Sequence, residues 1–203
     1  DSQGLVIHYY GVQLEAGGFV TSFIPTNGAT ATRGQGFAVI DGEELSDFYN
    51  PNASTVICQF DSSNWMNYNL QRYERVFAFG NLNSESEVVE MFKSHTSATE
   101  LRWRIRSGAS NVLGAANSTY SPNPTPKFGF AWQLNDAGVC VDGNAVQGTS
   151  DSGIPLPASV TQLSLGNSCI ENNSNGHGLT GWIRRFTYYP IKVSDAQLVT
   201  LTS

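Results

Sequence analysis

The stretch "GWIRRFTYYPIKVSDAQLVTLT", residues 181–202, holds the clearest structural signals in this chain. Its first part, "GWIRRFTYYP", is rich in aromatic residues and predicts a β-strand that ends at the proline. Ser194 followed three residues later by Gln197 forms a capping box, so a short helix is predicted to begin there. Alternation places Arg184 and Arg185 on opposite faces of the strand, which favours a structural role for them over a paired anion clamp.

Similar strand-like segments recur upstream, separated by clusters of Gly, Asn, Asp and Ser, and a helical period is not sustained anywhere before the last helix. The predicted strands are 5–14, 37–40, 54–60, 75–80, 87–94, 101–107, 111–116, 127–134, 138–143 and 160–166, followed by 181–190. The turn sequences "NDAG" and Asp142-Gly143 join a three-stranded meander over residues 127–148. This pattern predicts an all-β, two-sheet antiparallel sandwich.

The composition restricts the class of partner. A chain of 203 residues can form one large β domain. Its net charge of -6 argues against nucleic acid or an anionic membrane as partner, because phosphate binding needs a clustered basic surface. The locally basic "RWRIR", residues 102–106, has the period of a half-exposed strand. No apolar run approaches the length of a membrane span, so membrane insertion is not expected.

The cysteines predict neither a disulfide framework nor a metal site. Cys58, Cys140 and Cys169 leave at least one thiol unpaired in any monomer, and no Cys-x-x-Cys pair or Cys/His cluster occurs. Free cysteines in apolar strands behave as small buried hydrophobes, as expected of a protein assembled in a reducing compartment. Loop aspartates occur without the dense pattern of a calcium loop. No metal or cofactor is predicted.

Two segments carry a family resemblance. The run "FAWQLNDAGVCVDGNAVQGTSDSGIPLPASVTQLSLGNS", residues 130–168, and the closing stretch resemble the concanavalin A-like (laminin G-like) jelly-roll modules of bacteriophage tail fibres and related virion appendages. Residues 9–33 resemble the junction that precedes such modules. The resemblance implies a jelly roll with a short C-terminal helix over 37–203, and a strand and linker from an upstream module over 1–36. It also implies a homotrimer on a tail fibre, spike or capsid surface, in contact with other virion proteins.

A carbohydrate-binding site is predicted in "DSSNWMNYNLQRYER", residues 61–75. Aromatic faces stack on sugar rings, and amide and guanidinium groups donate directional hydrogen bonds to hydroxyl groups. Loops carried on a rigid sandwich are where binding residues concentrate. In the alternative interpretation, the Trp and first Tyr of this segment cap the core. The predicted site residues are Trp65, Asn67, Tyr68, Arg72 and Tyr73.

Three functions compete at this stage. The first is a non-catalytic module that binds host-surface glycan for attachment, and the second is a structural decoration or connector of the virion. The third is a glycan-degrading hydrolase using Glu85, Glu87 and Glu90, because laminarinase-type enzymes of this fold carry a Glu-x-Asp-x-x-Glu strand. The middle residue here is Glu, and the surrounding segment lacks the tryptophans of those clefts, so the sequence favours a protein that is not an enzyme.

Overall fold

The computed structural model describes residues 38–62, 73–82, 84–94, 100–116, 125–149, 153–170, 178–179 and 181–203, with Leu14, Pro25 and residues 28–30. The chain divides into two units, Asp1–Gln35 and Gly36–Ser203, and the architecture below is that of the second. Apart from Leu14, the strand predicted at 5–14 lies outside the described residues, and the assignment of 1–36 to an upstream module stays a prediction. Among the described helices, none is long and apolar enough to span a membrane.

The described residues of the second unit form two antiparallel sheets and two short helices. One sheet has the order β1-β10-β3-β4-β5-β6 and the other has the order β11-β2-β7-β8-β9. The predicted jelly-roll sandwich with a short C-terminal helix is therefore confirmed. The elements are β1 Ala38–Asp41, α1 Gly42–Ser46, β2 Ala53–Ser62, β3 Arg75–Gly80, β4 Glu87–Lys93, β5 Leu101–Ser107, β6 Ser110–Ala116, β7 Lys127–Gln133, β8 Asp136–Val141, β9 Gln147–Thr149, β10 Gln162–Leu165, β11 Gly181–Tyr189 and α2 Asp195–Thr202.

Aromatic side chains from both sheets fill the space between them. Phe130 and Trp132 of the five-stranded sheet stack with ring centroids 5.1 Å apart, and Trp103 of the six-stranded sheet lies 5.3 Å from Phe130. All three are at most 2% exposed. Burying such a side chain stabilises the fold by roughly 1.5–3 kcal/mol. Gly114 on β6 leaves room for the indole of Trp103, because a Cβ there would overlap that ring.

The predicted turns occur, with small shifts in where the chain reverses. Asp142 and Gly143 have φ values of 48° and 67°, as a turn with two left-handed residues requires. However, β9 begins only at Gln147, so this connection is longer than a two-residue hairpin. The reversal between β7 and β8 is formed by Leu134 and Asn135, slightly before the centre of the predicted "NDAG" turn.

The last helix begins at the predicted cap and covers the outer face of the five-stranded sheet. The Gln197 backbone amide donates to Ser194 Oγ at 3.3 Å, and the Ser194 amide donates to Gln197 Oε1 at 3.0 Å. Leu198 is fully buried. It packs over Gly129 on β7, where an added Cβ would lie 2.6 Å from a Leu198 methyl group. The capping box and this contact together fix α2 against the sheet.

A β-bulge in β11 changes the predicted orientation of the two arginines. The register with β2 shifts between Ile183 and Arg185, which makes Arg184 the extra residue. Ile183 and Phe186 consequently both pack against the core although they are three residues apart. Arg184 and Arg185 are both exposed on the outer side. The prediction that they point to opposite faces is wrong, because a period of two does not hold across a bulge.

Candidate functional site

A groove of about 260 Å³ lies on the outer face of the six-stranded sheet, across β3 to β6. Alternation along β5 creates this face, because Trp103 and Ile105 point into the core and Arg102 and Arg104 point outward. We call it the sheet groove. It is lined by Tyr73, Arg75, Glu85, Phe92, Arg102, Arg104, Asn111 and Leu113.

A charge-balanced network forms the floor of the sheet groove. Glu90, which is 1% exposed, accepts from Arg75 Nε at 3.1 Å and lies 2.7 Å from Arg104 Nη2. Glu85 contacts the same two arginines, with Arg75 Nη2 at 3.4 Å and Arg104 Nη2 at 3.1 Å. Two carboxylates thus neutralise two guanidinium groups. Each arginine is held by two acids, so its orientation is set before any ligand arrives.

An aromatic wall stands beside this network. The rings of Tyr73 and Phe92 meet edge to face at 5.5 Å. The guanidinium carbon of Arg75 lies 5.7 Å from the Tyr73 centroid and 5.2 Å from the Phe92 centroid. Arg75 Nη1 also donates to the Tyr73 carbonyl oxygen at 2.9 Å. Tyr73 is therefore fixed by its backbone and its ring at the edge of the groove.

The strands on either side of the groove are held by two further ion pairs. Arg102 Nε donates to Glu100 at 2.7 Å, and Lys93 Nζ lies 3.8 Å from Glu74. Burial lowers the pKa of Lys93, and the charge and hydrogen bond of Glu74 oppose that shift. The Lys93 amide also donates to the Glu74 carbonyl oxygen at 2.8 Å. These contacts fix the start of β3, next to Tyr73, against β4.

The opposite rim of the groove, formed by β6, is open to solvent. Asn111 is exposed and Leu113 is 50% exposed. Both ion pairs of Arg104 run through its buried Nη2 atom, and its Nε, also buried, has no hydrogen-bond partner among the described residues. The groove therefore combines an aromatic face, fixed charges and an accessible amide, which is the range of contacts that a sugar ring uses.

Of the site residues predicted from sequence, the structure places Tyr73 in the sheet groove. Trp65, Asn67, Tyr68 and Arg72 lie outside the described residues, so their grouping stays a prediction.

The sequence-based site did not include the other groove residues. For two of them, Arg102 and Arg104, the alternation in "RWRIR" predicted the outward direction. That signal does not show that β3, β4 and β6 bring an aromatic wall and two acids to the same place.

The three glutamates considered for hydrolysis do not share one face. The pairing of β4 with β5 is regular from Glu87 to Glu90, so these two side chains point to opposite sides of the sheet. Glu87 accepts from the backbone amides of Gly108 at 2.8 Å and Ala158 at 2.6 Å, and it thereby joins two loops. Retaining hydrolysis needs two carboxyl groups about 5 Å apart across the sugar. Glu85 and Glu90 do lie together, since both contact Arg75 and Arg104, but Glu90 is 1% exposed beneath those arginines and so does not reach a sugar in the groove.

Cys58, Cys140 and Cys169 are free and buried, and the sequence had placed the first two in apolar strands. Burial raises the pKa of Cys58 and of Cys169 to about 12, so both are protonated thiols at neutral pH. In the part of the chain that the structure describes, no group of three His, Cys, Asp or Glu side chains could hold a metal ion.

No family model and no curated protein sequence matches this chain. Solved structures do match. The CBM40 module of the Ruminococcus gnavus IT-sialidase, solved bound to α2,3 sialyllactose, has a TM-score of 0.57 at 11% identity over 75% of this chain and 83% of that one. Domains LG4-5 of the mouse laminin α1 chain have a TM-score of 0.55 at 11% identity, over 78% of this chain and 40% of that one.

A sialidase from Trypanosoma rangeli, solved with sialic acid, has a TM-score of 0.55 at 11% identity. The match spans 82% of this chain and only 26% of that one. At these identities the likeness is one of fold, and this chain has the jelly-roll fold of laminin G-like and CBM40 domains.

Proposed function

We propose that this chain is a non-catalytic glycan-binding module and that the sheet groove is its ligand site. The observation that supports this proposal is the fixed pair of arginines beside the Tyr73 ring. A pyranose can stack on the ring while its hydroxyl groups donate to Glu85 and accept from Arg104. Glu90 already orients the Arg104 side chain, and Arg75 already orients Glu85. Little side-chain entropy is therefore lost when the sugar binds.

The charge balance of the groove indicates how it selects a ligand. Its two central arginines are neutralised by Glu85 and Glu90, so an acidic sugar would compete with Glu85 for the same guanidinium groups. We therefore propose that the groove binds the hydroxyl groups of neutral sugar units. The R. gnavus CBM40 module was solved with α2,3 sialyllactose, so that trisaccharide and its neutral counterpart lactose are the informative pair of probes.

The biological setting that we propose follows from the sequence resemblance alone. On a bacteriophage fibre, spike or capsid appendage, such a module would bind host-surface carbohydrate for attachment, next to other virion proteins. A homotrimer would present three grooves at once, and this multiplies weak single-site binding into useful avidity. Size and mass measurements on the purified chain test the trimer directly.

A glycan array with multivalent display of the purified protein tests the proposed function. We expect Tyr73→Ala to weaken binding about tenfold, because stacking and the hydrogen bonds that it aligns are lost together. Asn111→Ala should reduce binding, whereas Asn52→Ala, an exposed asparagine outside the groove, should not. Trp65→Ala tests whether the predicted loop contributes as well.

Two results would contradict the proposal. One is the absence of any bound glycan at high valency, which would favour the structural decoration or connector role. The other is equal binding by wild type and by the Tyr73 and Asn111 variants, which would move the ligand site away from the sheet groove.

A further inference from the structure

Two cations and an amide form a row on the outer face of the five-stranded sheet. Arg185 on β11 is paired with Gln59 on β2, and Gln59 is paired with Lys127 on β7. Adjacent strands lie about 4.8 Å apart, so the two cationic residues start roughly 10 Å apart with the amide between them. The bulge at Arg184 is what brings Arg185 into this row.

This row opens into a groove of about 230 Å³ beside the C-terminal turn of α2. Thr187, Tyr189 and Leu201 line its walls, and its described lining contains no Asp or Glu. Gln59 Nε2 donates to the Thr125 carbonyl oxygen at 3.1 Å, so the Gln59 carbonyl oxygen is the part of that amide left to accept from a ligand. The groove therefore combines positive charge, an acceptor, a hydroxyl group and an aromatic ring.

The neighbouring arginines differ in their partners. Arg184 Nε donates to Asp61 Oδ2 at 2.6 Å, so the charge of Arg184 is compensated. Arg185 Nε donates to the Thr187 hydroxyl group at 3.2 Å, and Arg185 forms no ion pair with any carboxylate in the described residues. Arg185 is exposed. An uncompensated guanidinium presents two parallel N–H donors, which match the geometry of a carboxylate or a sulfate.

Lys127 has no Asp or Glu side chain as a partner among the described residues. Its Nζ donates to a backbone oxygen of Ser203, which also lines the groove. Asp142 is the neighbouring acid on the far side of the row, and its Oδ1 accepts from the Lys127 backbone amide at 2.9 Å. In a chain with a net charge of -6, two cations beside one groove without an Asp or Glu side chain against them are a local exception.

We infer that this row binds the oxyanion of an acidic saccharide, either a uronic-acid carboxylate or a sulfate ester. Arg185 donates two hydrogen bonds to the oxyanion, and Lys127 attracts it from the other end of the row. The Gln59 carbonyl oxygen accepts from a sugar hydroxyl group, and the Tyr189 ring packs against the apolar side of the sugar. This site lies on the opposite side of the sandwich from the sheet groove. Its described lining contains no Asp or Glu, whereas two glutamates neutralise the arginines of the sheet groove.

The test is a titration of the whole 203-residue chain, followed by amide chemical shifts. The probes are a sulfated disaccharide, a uronic-acid disaccharide and neutral lactose. We expect an acidic probe to shift the amides of the Arg185–Gln59–Lys127 row, and lactose to leave them in place. Arg185→Gln should weaken that binding about tenfold, because it removes a charge-assisted contact. Lys127→Gln should weaken it less, because Lys127 Nζ already donates to Ser203.

Arg184→Gln is the matched control, because it removes the same charge one residue away from a side chain that already has a partner. It should weaken binding by less than about twofold. A response to the sulfated or to the uronic-acid probe alone identifies the oxyanion and supports the site. If Arg184→Gln and Arg185→Gln lost equal binding, the probe would be attracted by the overall positive potential of this face and not by a specific site. Absence of shifts in the row with both acidic probes would also overturn the inference.

The same titration separates this site from the sheet groove. Tyr73→Ala should leave the affinity for the acidic disaccharide unchanged, and Arg185→Gln should leave binding in the sheet groove unchanged. If one of the two proposed sites shows no binding, the other can therefore still be tested.

Discussion

Replacing Glu90 with glutamine removes one of the two negative charges that neutralise the arginines under the sheet groove. Glu90 is 1% exposed and the Arg75 side chain 4% exposed, so water cannot take over the lost interaction. Removal of one partner from a buried ion pair costs about 3–5 kcal/mol. Because glutamine keeps one acceptor oxygen and Glu85 still contacts both arginines, we expect the lower end, about 3 kcal/mol. That is a large part of the 5–15 kcal/mol typical of a folded domain.

Urea unfolding followed by tryptophan fluorescence measures this difference in the free energy of unfolding. Glu100→Gln is the matched control, since it makes the same chemical change in the more exposed pair with Arg102, whose side chains are 16% and 27% exposed. We expect the control to cost about 1 kcal/mol or less. Raising the salt concentration from about 0.1 M to 1 M should shrink the Glu100 effect more than the Glu90 effect, because exposed pairs are screened more strongly.

A double-mutant cycle that combines Glu90→Gln with Arg104→Gln then isolates the interaction energy between these two side chains. We expect a coupling energy of about 1–3 kcal/mol between Glu90 and Arg104. Equal costs for Glu90→Gln and Glu100→Gln, or a coupling energy near zero, would refute the idea that a buried charge network orders this groove.

The remaining predictions concern the core, the thiols and the acid range. Gly114→Ala should destabilise the fold by about 1–3 kcal/mol in urea unfolding, because a Cβ overlaps the buried Trp103 ring. The three buried thiols should react with a disulfide reagent at mildly alkaline pH only when the chain is unfolded. Burial acts to raise the pKa of Asp61, but hydrogen bonds from Thr125 and Arg184 and the charge of Arg184 outweigh it and lower that pKa. The lowered pKa contributes stability above the unfolded value of about 3.9 that is lost as the pH falls through the folded value. Wild type should therefore be more stable than Arg184→Gln at neutral pH, and the two should converge in acid.

Each of these has a result that would count against it. An unchanged urea midpoint for Gly114→Ala would mean that the Trp103 ring has room to move. Rapid labelling of the native protein would contradict the burial of the cysteines. A stability difference between Arg184→Gln and wild type that persists at low pH would show that the Asp61 carboxylate is not its source.

The candidate sites were harder to predict than the strands. Tyr73 was chosen from its loop, and its ring does line the sheet groove. Arg104 and Glu90, by contrast, belong to different predicted strands, and no spacing along the chain relates them. They meet because the register of β4 with β5 places them opposite each other. The pairing of distant segments in a sheet depends on the whole fold, so it could not be predicted from local patterns.

Short elements without a strong local pattern were missed or predicted without bounds. Helix α1, which has no side chain that caps its start at Asp41, was missed. Strand β9, which is three residues long, was predicted only as the third strand of the meander over 127–148. Gly148 in β9 lies against the backbone of Ala137 in β8, where an added Cβ would overlap the Ala137 carbonyl oxygen. Such a strand depends on its partner strand, and its own residues carry too little signal to fix its bounds.

The closing stretch shows where local information ends. Side-chain alternation and the capping box are properties of neighbouring residues, so β11 and α2 follow from residues 181–202 alone. The bulge that turns Arg184 and Arg185 to the same side is different, because it exists only in the pairing of β11 with β2. Asp61, the partner of Arg184, lies 123 residues away along the chain. Gln59, which is paired with Arg185, belongs to the same distant strand. Local chemistry accounts for the strand and the helix, whereas the function of the two arginines depends on which distant strand lies beside them.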